Sequence, residues 1–294
     1  MKIVFALMAA ALSLLAVEPL TNAKWLGAHL NNPSVRVVEV SDGDSYTLEH
    51  IPGAAHTSIG AWRFDNGTFL SIRPVSEIEK EIRRLGIDSS TEVVLYAPIN
   101  EPKDLLKTSY IYWALNYHGI KNVGILDGGI KAWKNAQLPL TSEESKIAPT
   151  AFKANPDASK IADIGYVKSK LGKLPMIDAR PSDMYLGITP TPTVKRNGHI
   201  KGGMSYSWNY SVDKDYLLKP KATLESVFKE GYKLDKNKEV LVYCTGGLET
   251  SYNYFVLSGV LGYKNVRLYD ASMKEWGNRE ETPMTQYRYE MFSK

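Results

Sequence analysis

The sequence predicts an α/β protein of two tandem domains, each a parallel sheet flanked by helices. Three observations lead there: landmarks recur in the same order in both halves of the 294-residue chain, short β-rich runs alternate with helical patterns within each half, and a polar, proline-bearing stretch separates the halves. A content of 44% hydrophobic and 23% charged residues describes a chain able to bury cores rather than a disordered one. The net charge of +4, with no dense block of Lys or Arg, speaks against a nucleic-acid or polybasic membrane surface. A single cysteine, Cys244, excludes an intrachain disulfide, a CxxC pair and any multi-cysteine zinc or iron–sulfur site.

Residues 1–16 read as a secretory leader. Met1-Lys2 gives a positive start, and the apolar run Ile3–Val17, broken only by Ser13, is too short to span a bilayer comfortably, which takes about 20 residues. Cleavage near Ala16 and export to a bacterial periplasm or envelope are expected; an uncleaved anchor or a buried first helix are the alternatives. In such an oxidising space a lone thiol is exposed to oxidation unless it is used or hidden.

The first domain is expected over residues 17–140, with strands at Val35–Val40, Val93–Ala97 and Val123–Leu126 and a crossover helix at Thr108–Tyr117. The linker is placed at residues 141–157, within Leu138–Asp157 and its polar run Thr141–Ser145. The second domain follows over 158–294, with strands at Pro175–Asp178, Glu239–Tyr243 and Val266–Tyr269 and a crossover helix at Thr250–Leu261. The halves align: Ile120–Trp133 lies over Tyr263–Trp276 with Lys, Asn, Val, Asp, Lys and Trp in register, Glu49–Ala54 answers Gly198–Gly203, and Val93–Ala97 answers Val240–Cys244. A tandem duplication explains this order.

Cys244 ends the strand Glu239–Tyr243, at the carboxyl edge where open parallel sheets bind ligands. The loop Thr245-Gly246-Gly247-Leu248-Glu249 then runs into helical sequence at Thr250. A short loop with two glycines, closing onto a helix start, can turn its N–H groups inward as a positive nest. The amides from Thr245 to Thr250 are therefore the expected anion binders, drawing the thiol below its usual pKa of about 8.5. The competing reading of a lone cysteine is an inert buried thiol. At the matching position the first half carries Ala97 and then Pro98–Pro102, with neither thiol nor glycine, so only the second domain is expected to carry the chemistry.

The tandem arrangement, Gly-His-Ile-x-Gly at 198–202, Tyr243-Cys244 and the closing Leu268–Gly277 together resemble the two-domain rhodaneses, the thiosulfate and mercaptopyruvate sulfurtransferases, over nearly all of the chain after the leader. The resemblance implies a catalytic carboxyl-terminal domain and an amino-terminal partner that shapes the cleft. It implies a double displacement: the Cys244 thiolate takes the outer sulfur of a small anionic donor such as thiosulfate or 3-mercaptopyruvate, and the persulfide passes it to a thiol, cyanide or redox-protein acceptor. No metal or organic cofactor and no nucleic-acid partner is implied, and a monomer is expected.

Two residues depart from the family pattern. Glu249 places a carboxylate in a loop where relatives carry a basic residue or hydroxyl, and would repel an anionic donor and raise the thiol pKa. Met184 stands where family members often have a donor-binding arginine. Arg180, Lys195 and Arg196 are the candidate replacements, Arg180 reading equally as a structural partner of the strand-end Asp178 and the others as solvated loop charge. His199, whose counterpart His50 lies in the thiol-free half, is expected to be scaffold, as are Trp133, Trp276, Tyr252 and Tyr254; Asp270 and Ser272 are expected to brace the loop. Two other functions compete. A cysteine phosphatase is disfavoured because position 250 is Thr rather than a phosphate-gripping arginine. A sulfur-binding or protein-interaction module without turnover draws support from Glu249 and Met184.

Overall fold

The computed structural model describes residues 17–287; the expected leader, 1–16, lies outside them. The strands of the first half are β1 (Leu20–Thr21), β2 (Val35–Val40), β3 (Ala55–Thr57), β4 (Arg63–Asp65), β5 (Leu70–Ile72), β6 (Glu92–Tyr96) and β7 (Val123–Leu126). Those of the second are β8 (Ile161–Ala162), β9 (Met176–Asp178), β10 (His199–Ile200), β11 (Met204–Ser205), β12 (Glu239–Tyr243), β13 (Asn265–Tyr269) and β14 (Met284–Thr285). Each half builds a five-stranded parallel sheet, in the orders β1-β7-β6-β2-β3 and β8-β13-β12-β9-β11, so the two domains share one topology. The pairs β4-β5 and β10-β14 are antiparallel.

The edge strands β1, β3, β8 and β11 have no counterpart among the strands that the sequence predicts. At two or three residues they are too short to show any periodicity, and pairing with a neighbour makes them strands. The first crossover helix begins at Pro102 rather than Thr108, because Glu101 and Asp104 form a reciprocal capping box with proline in the first turn. The second begins at Leu248 rather than Thr250, runs to Tyr254, and continues as a π-helical turn over Phe255–Val260.

Strand alternation sends side chains to different cores. Val38, Val40, Val93 and Leu95 of the first sheet share one continuous core with Val240, Val242 and Leu268 of the second. Val35, Val37, Val94 and Tyr96 face away onto Trp133, while Leu241, Tyr243 and Tyr269 face away onto Trp276. The shared core is closed by the helices Pro102–Tyr117 and Leu248–Tyr254, where Tyr112 meets Phe255 edge-on at 5.0 Å and the hydroxyls of Ser109 and Ser251 bond at 2.9 Å. Tyr252 and Tyr254 are buried within it.

Duplication extends to side-chain detail. His50 stacks on Tyr46 and His199 on Tyr185, each with ring centroids 3.8 Å apart and Nδ1 bonded to the carbonyl of that tyrosine. Trp133 and Trp276 donate their indole N–H groups to the carbonyls of Pro139 and Pro283. A pair that recurs in a domain without a thiol is architecture, and burial holds the His199 imidazole below its usual pKa, hence neutral.

Candidate active site

Cys244 sits at the carboxyl end of β12, the middle strand of the second sheet, between β9 and β13. The loop root is sewn to the turn after β13. The Cys244 N–H donates to Ser272 Oγ at 3.0 Å, and that hydroxyl donates to the Tyr269 carbonyl at 2.6 Å. The Met273 and Lys274 amides donate to the carbonyls of Cys244 and Thr245. Ser272 holds φ at +52°, a left-handed conformation rare for a residue with a Cβ, which places its hydroxyl under the loop.

Of the loop amides from Thr245 to Thr250, those of Gly246 and Gly247 donate to Cys244 Sγ, at 3.3 and 3.1 Å. Gly247, with φ at +93°, turns the chain into the helix that Leu248 opens. The Thr250 hydroxyl is buried with no hydrogen-bond partner among the described residues, and it and the Thr250 amide favour the thiolate.

These donors do not prevail, which corrects the expectation of a lowered thiol pKa. Cys244 is fully buried; that burial, followed by the charge and hydrogen bonding of Glu249, pushes the thiol up to about 12. Two N–H···S contacts stand against complete desolvation and a like-signed neighbour, so the resting sulfur is protonated at neutral pH. A sulfur sealed from solvent also cannot meet a donor without movement of the groups that cover it. Removing the carboxylate as Glu249→Gln is expected to speed alkylation of Cys244 by iodoacetamide on the order of tenfold at any pH below the thiol's pKa, one pKa unit being a factor of ten in thiolate. An unchanged rate would show that Glu249 does not act on the sulfur.

None of the three candidate cations offers a free charge at the sulfur. Arg180 is buried and forked onto Asp178, with Nε at 2.9 Å and Nη2 at 2.6 Å, and its other donors go to the Gly198 carbonyl and Thr191. Arg196 turns its guanidinium to the carbonyls of Trp276, Gly277 and Thr282, holding the last turn of the domain. Lys195 is exposed, its amide tied to Asn278. Met184 lies half-buried on the short helix Ser182–Leu186.

The cation hydrogen-bonded through its side chain to the loop is Arg63, which no motif or spacing in the sequence singles out. It starts β4 in the first domain, and only 6% of it is exposed. Its Nη2 donates to the carbonyls of Gly246 at 2.5 Å and Leu70 at 2.8 Å, lies 3.6 Å from Asp270 Oδ1, and its guanidinium covers the Tyr110 ring at 4.6 Å. Asp270, expected to brace the loop, also reaches across to the first domain. Its Oδ2 accepts the Tyr110 hydroxyl at 3.0 Å and the Ile72 amide at 2.9 Å, both from the first domain. Its repeat counterpart Asp127 does the converse, accepting the Leu218 amide of the second domain at 3.1 Å. A signal for this is visible in the sequence: both aspartates stand in register, each directly after a matching strand, β7 and β13.

Asp270→Ala would leave the Arg63 guanidinium buried without a carboxylate. Losing one partner of a buried pair costs roughly 3–5 kcal/mol, so a clear fall in the denaturant midpoint is expected. A midpoint equal to that of the unaltered protein would mean that the 3.6 Å pair carries no weight.

Residues 22–136 and 163–279 each match the rhodanese-like domain family. The sulfur carrier protein TtuD of Thermus thermophilus is 32% identical over 282 residues, covering 91% of this chain and 96% of that protein. A protein of Synechococcus elongatus, named provisionally as a thiosulfate sulfurtransferase, is 30% identical, covering 86% of this chain and 80% of its own. Among solved structures, the anaerobic ergothioneine biosynthesis enzyme of Chlorobium limicola, in complex with trimethyl histidine, has a TM-score of 0.82 at 21% identity, over 92% of this chain and 70% of that one. That last likeness is one of fold.

Proposed function

Because the chain belongs to the rhodanese-like domain family, carrying the domain twice, we propose that it moves a sulfane sulfur from a small anionic donor, thiosulfate or 3-mercaptopyruvate, to a thiol, cyanide or redox-protein acceptor through a persulfide on Cys244. Sulfur transfer is the activity for which its relatives are named. The observation that carries the reading is the lone thiol at the end of the middle strand with the Gly246 and Gly247 amides on its sulfur.

With thiosulfate, the Cys244 S–H gives up its proton, the sulfur attacks the outer sulfur of the donor, a sulfur–sulfur bond forms, and sulfite leaves with the electron pair of the broken bond. An acceptor thiolate then attacks the terminal sulfur, and Cys244 departs as the thiolate, to be reprotonated. The two loop amides stabilise the negative charge at each stage. With the thiol pushed up to about 12 by burial and by Glu249, a free thiolate is a minute fraction at neutral pH, so the proton leaves as the new bond forms. Thr250 at the position of a phosphate-gripping arginine leaves phosphoryl transfer without support.

A second reading, a module that holds sulfur without turning over, is favoured by the complete burial of the thiol and by the carrier name of the Thermus relative. Incubating the protein with each donor and weighing it intact distinguishes the two. The transferase reading expects a gain of one sulfur atom that cyanide removes as thiocyanate, many times over per protein. A gain released only once supports the holding module, and no gain from any donor refutes the persulfide.

A further inference from the structure

Arg63 and Cys244 belong to different domains, yet one peptide unit connects the guanidinium to the sulfur. Arg63 Nη2 donates to the Gly246 carbonyl at 2.5 Å, and the N–H of that same peptide, which belongs to Gly247, donates to Cys244 Sγ at 3.1 Å. A cationic donor on a carbonyl draws electron density from its amide and makes the N–H on the far side a better donor, so the two hydrogen bonds strengthen each other. We propose that Arg63 of the amino-terminal domain is a positioning residue for sulfur transfer, which acts through the Gly246-Gly247 peptide to strengthen the N–H donor on the Cys244 sulfur and hold the loop in its persulfide-bearing shape. The inference rests on the sulfur-transfer reading above and assigns the thiol-free domain a part in the chemistry.

The arrangement is not that of an ordinary buried ion pair. Arg180 shows what such a pair looks like here, with Nε and Nη2 both on Asp178 within 2.9 Å. Arg63 stands 3.6 Å from Asp270, leaves its buried Nε without a partner among the described residues, and directs Nη2 at two backbone carbonyls. Its place is over-determined: Leu70 and Gly246 hold Nη2, the Tyr110 face lies beneath the guanidinium, and the Tyr110 hydroxyl and Ile72 amide hold Asp270 beside it. The charged groups around the loop and its sulfur are then Glu249 on the helix after the loop, Lys274, whose side chain lies against Gly246, Arg180 with Asp178 at the end of β9, and Arg63 with Asp270 across the domain boundary. Of the two arginines, Arg63 is the one bonded to the loop.

The test uses the full chain with Arg63→Met, which removes the charge, and Arg63→Lys, which keeps it on a compact ammonium without the planar guanidinium. Three quantities are measured: the thermal midpoint, the single-turnover rate of sulfur loading from thiosulfate, and the pH dependence of Cys244 alkylation by iodoacetamide. Arg63→Met is expected to load at least tenfold more slowly and to alkylate about tenfold more slowly at any pH below the thiol's pKa, the profile moving to higher pH by about one unit. Arg63→Lys is expected to fall between it and the unaltered protein. A purely structural role would lower the midpoint without shifting the alkylation profile. Loading and alkylation equal to the unaltered protein in either folded variant overturn the proposal, and Arg63→Lys decides should the methionine variant not fold. If the unaltered protein takes up no sulfur, the transfer reading fails, while the alkylation profiles still judge Arg63.

Discussion

Cys244→Ser is expected to abolish sulfur uptake while the fold stands. Uptake requires a sulfur that can attack sulfur and later leave as an anion, and a serine hydroxyl, several pKa units above a thiol, does neither. The fold survives because the replacement oxygen meets donors already in place: the amides of Gly246 and Gly247 point at that atom, so a polar group in the core is not left unsatisfied. The cost is lost packing of one sulfur in the shared core, about 1 kcal/mol. Intact mass after donor treatment, read beside the thermal midpoint, checks both halves of the expectation. A serine variant that still gains a sulfur removable by cyanide would place the persulfide elsewhere, although no second cysteine exists in the chain.

Gly247→Ala is expected to be nearly as damaging by another route. At φ +93° the backbone is one that a side chain strains, and a Cβ built there lies 2.2 Å from Asp270 Oδ1, 3.1 Å from the Asp270 carbonyl and 3.3 Å from Arg63 Nη2. Asp270 cannot step aside cheaply, because the Ile72 amide and the Tyr110 hydroxyl grip it from the other domain. Backbone strain and overpacking together amount to roughly 2–4 kcal/mol, and displacing the loop amides by even about 1 Å costs loading on the order of a hundredfold. Gly246→Ala is the informative control. Its Cβ would meet the flexible Lys274 side chain at 3.3 Å, so it is expected to load sulfur within severalfold of the unaltered rate. Equal damage from both substitutions would mean that the Asp270 contact is not what makes position 247 special.

Much of the fold is legible in the order of the amino acids. The strands Val35–Val40, Val123–Leu126 and Glu239–Tyr243 have the bounds that their β-rich runs suggest, because each pairs on both sides and buries residues on both faces, a pattern written in consecutive side chains. The repeated Trp and His residues announce themselves as scaffold by recurring in a half with no thiol. The helix start at Pro102 escapes a reading by pattern although its signal is present, since proline at a helix start resembles proline in a loop until the Glu101–Asp104 capping box is noticed. Arg63 offers no comparable signal: it lies on a short hairpin of the first domain, and neither its residue type nor its spacing points to Cys244.

By itself the sequence determined the duplication, legible when one half is laid over the other, and the parallel α/β order of each half and the place of the lone thiol at a strand end before two glycines, which are written in short consecutive runs. Only the tertiary structure decided the ionisation of that thiol and the identity of the cation on its loop. Desolvation and electric fields act through space: Arg63 and Tyr110 of the first domain meet Asp270 and the thiol's loop only when the two domains close on a shared core.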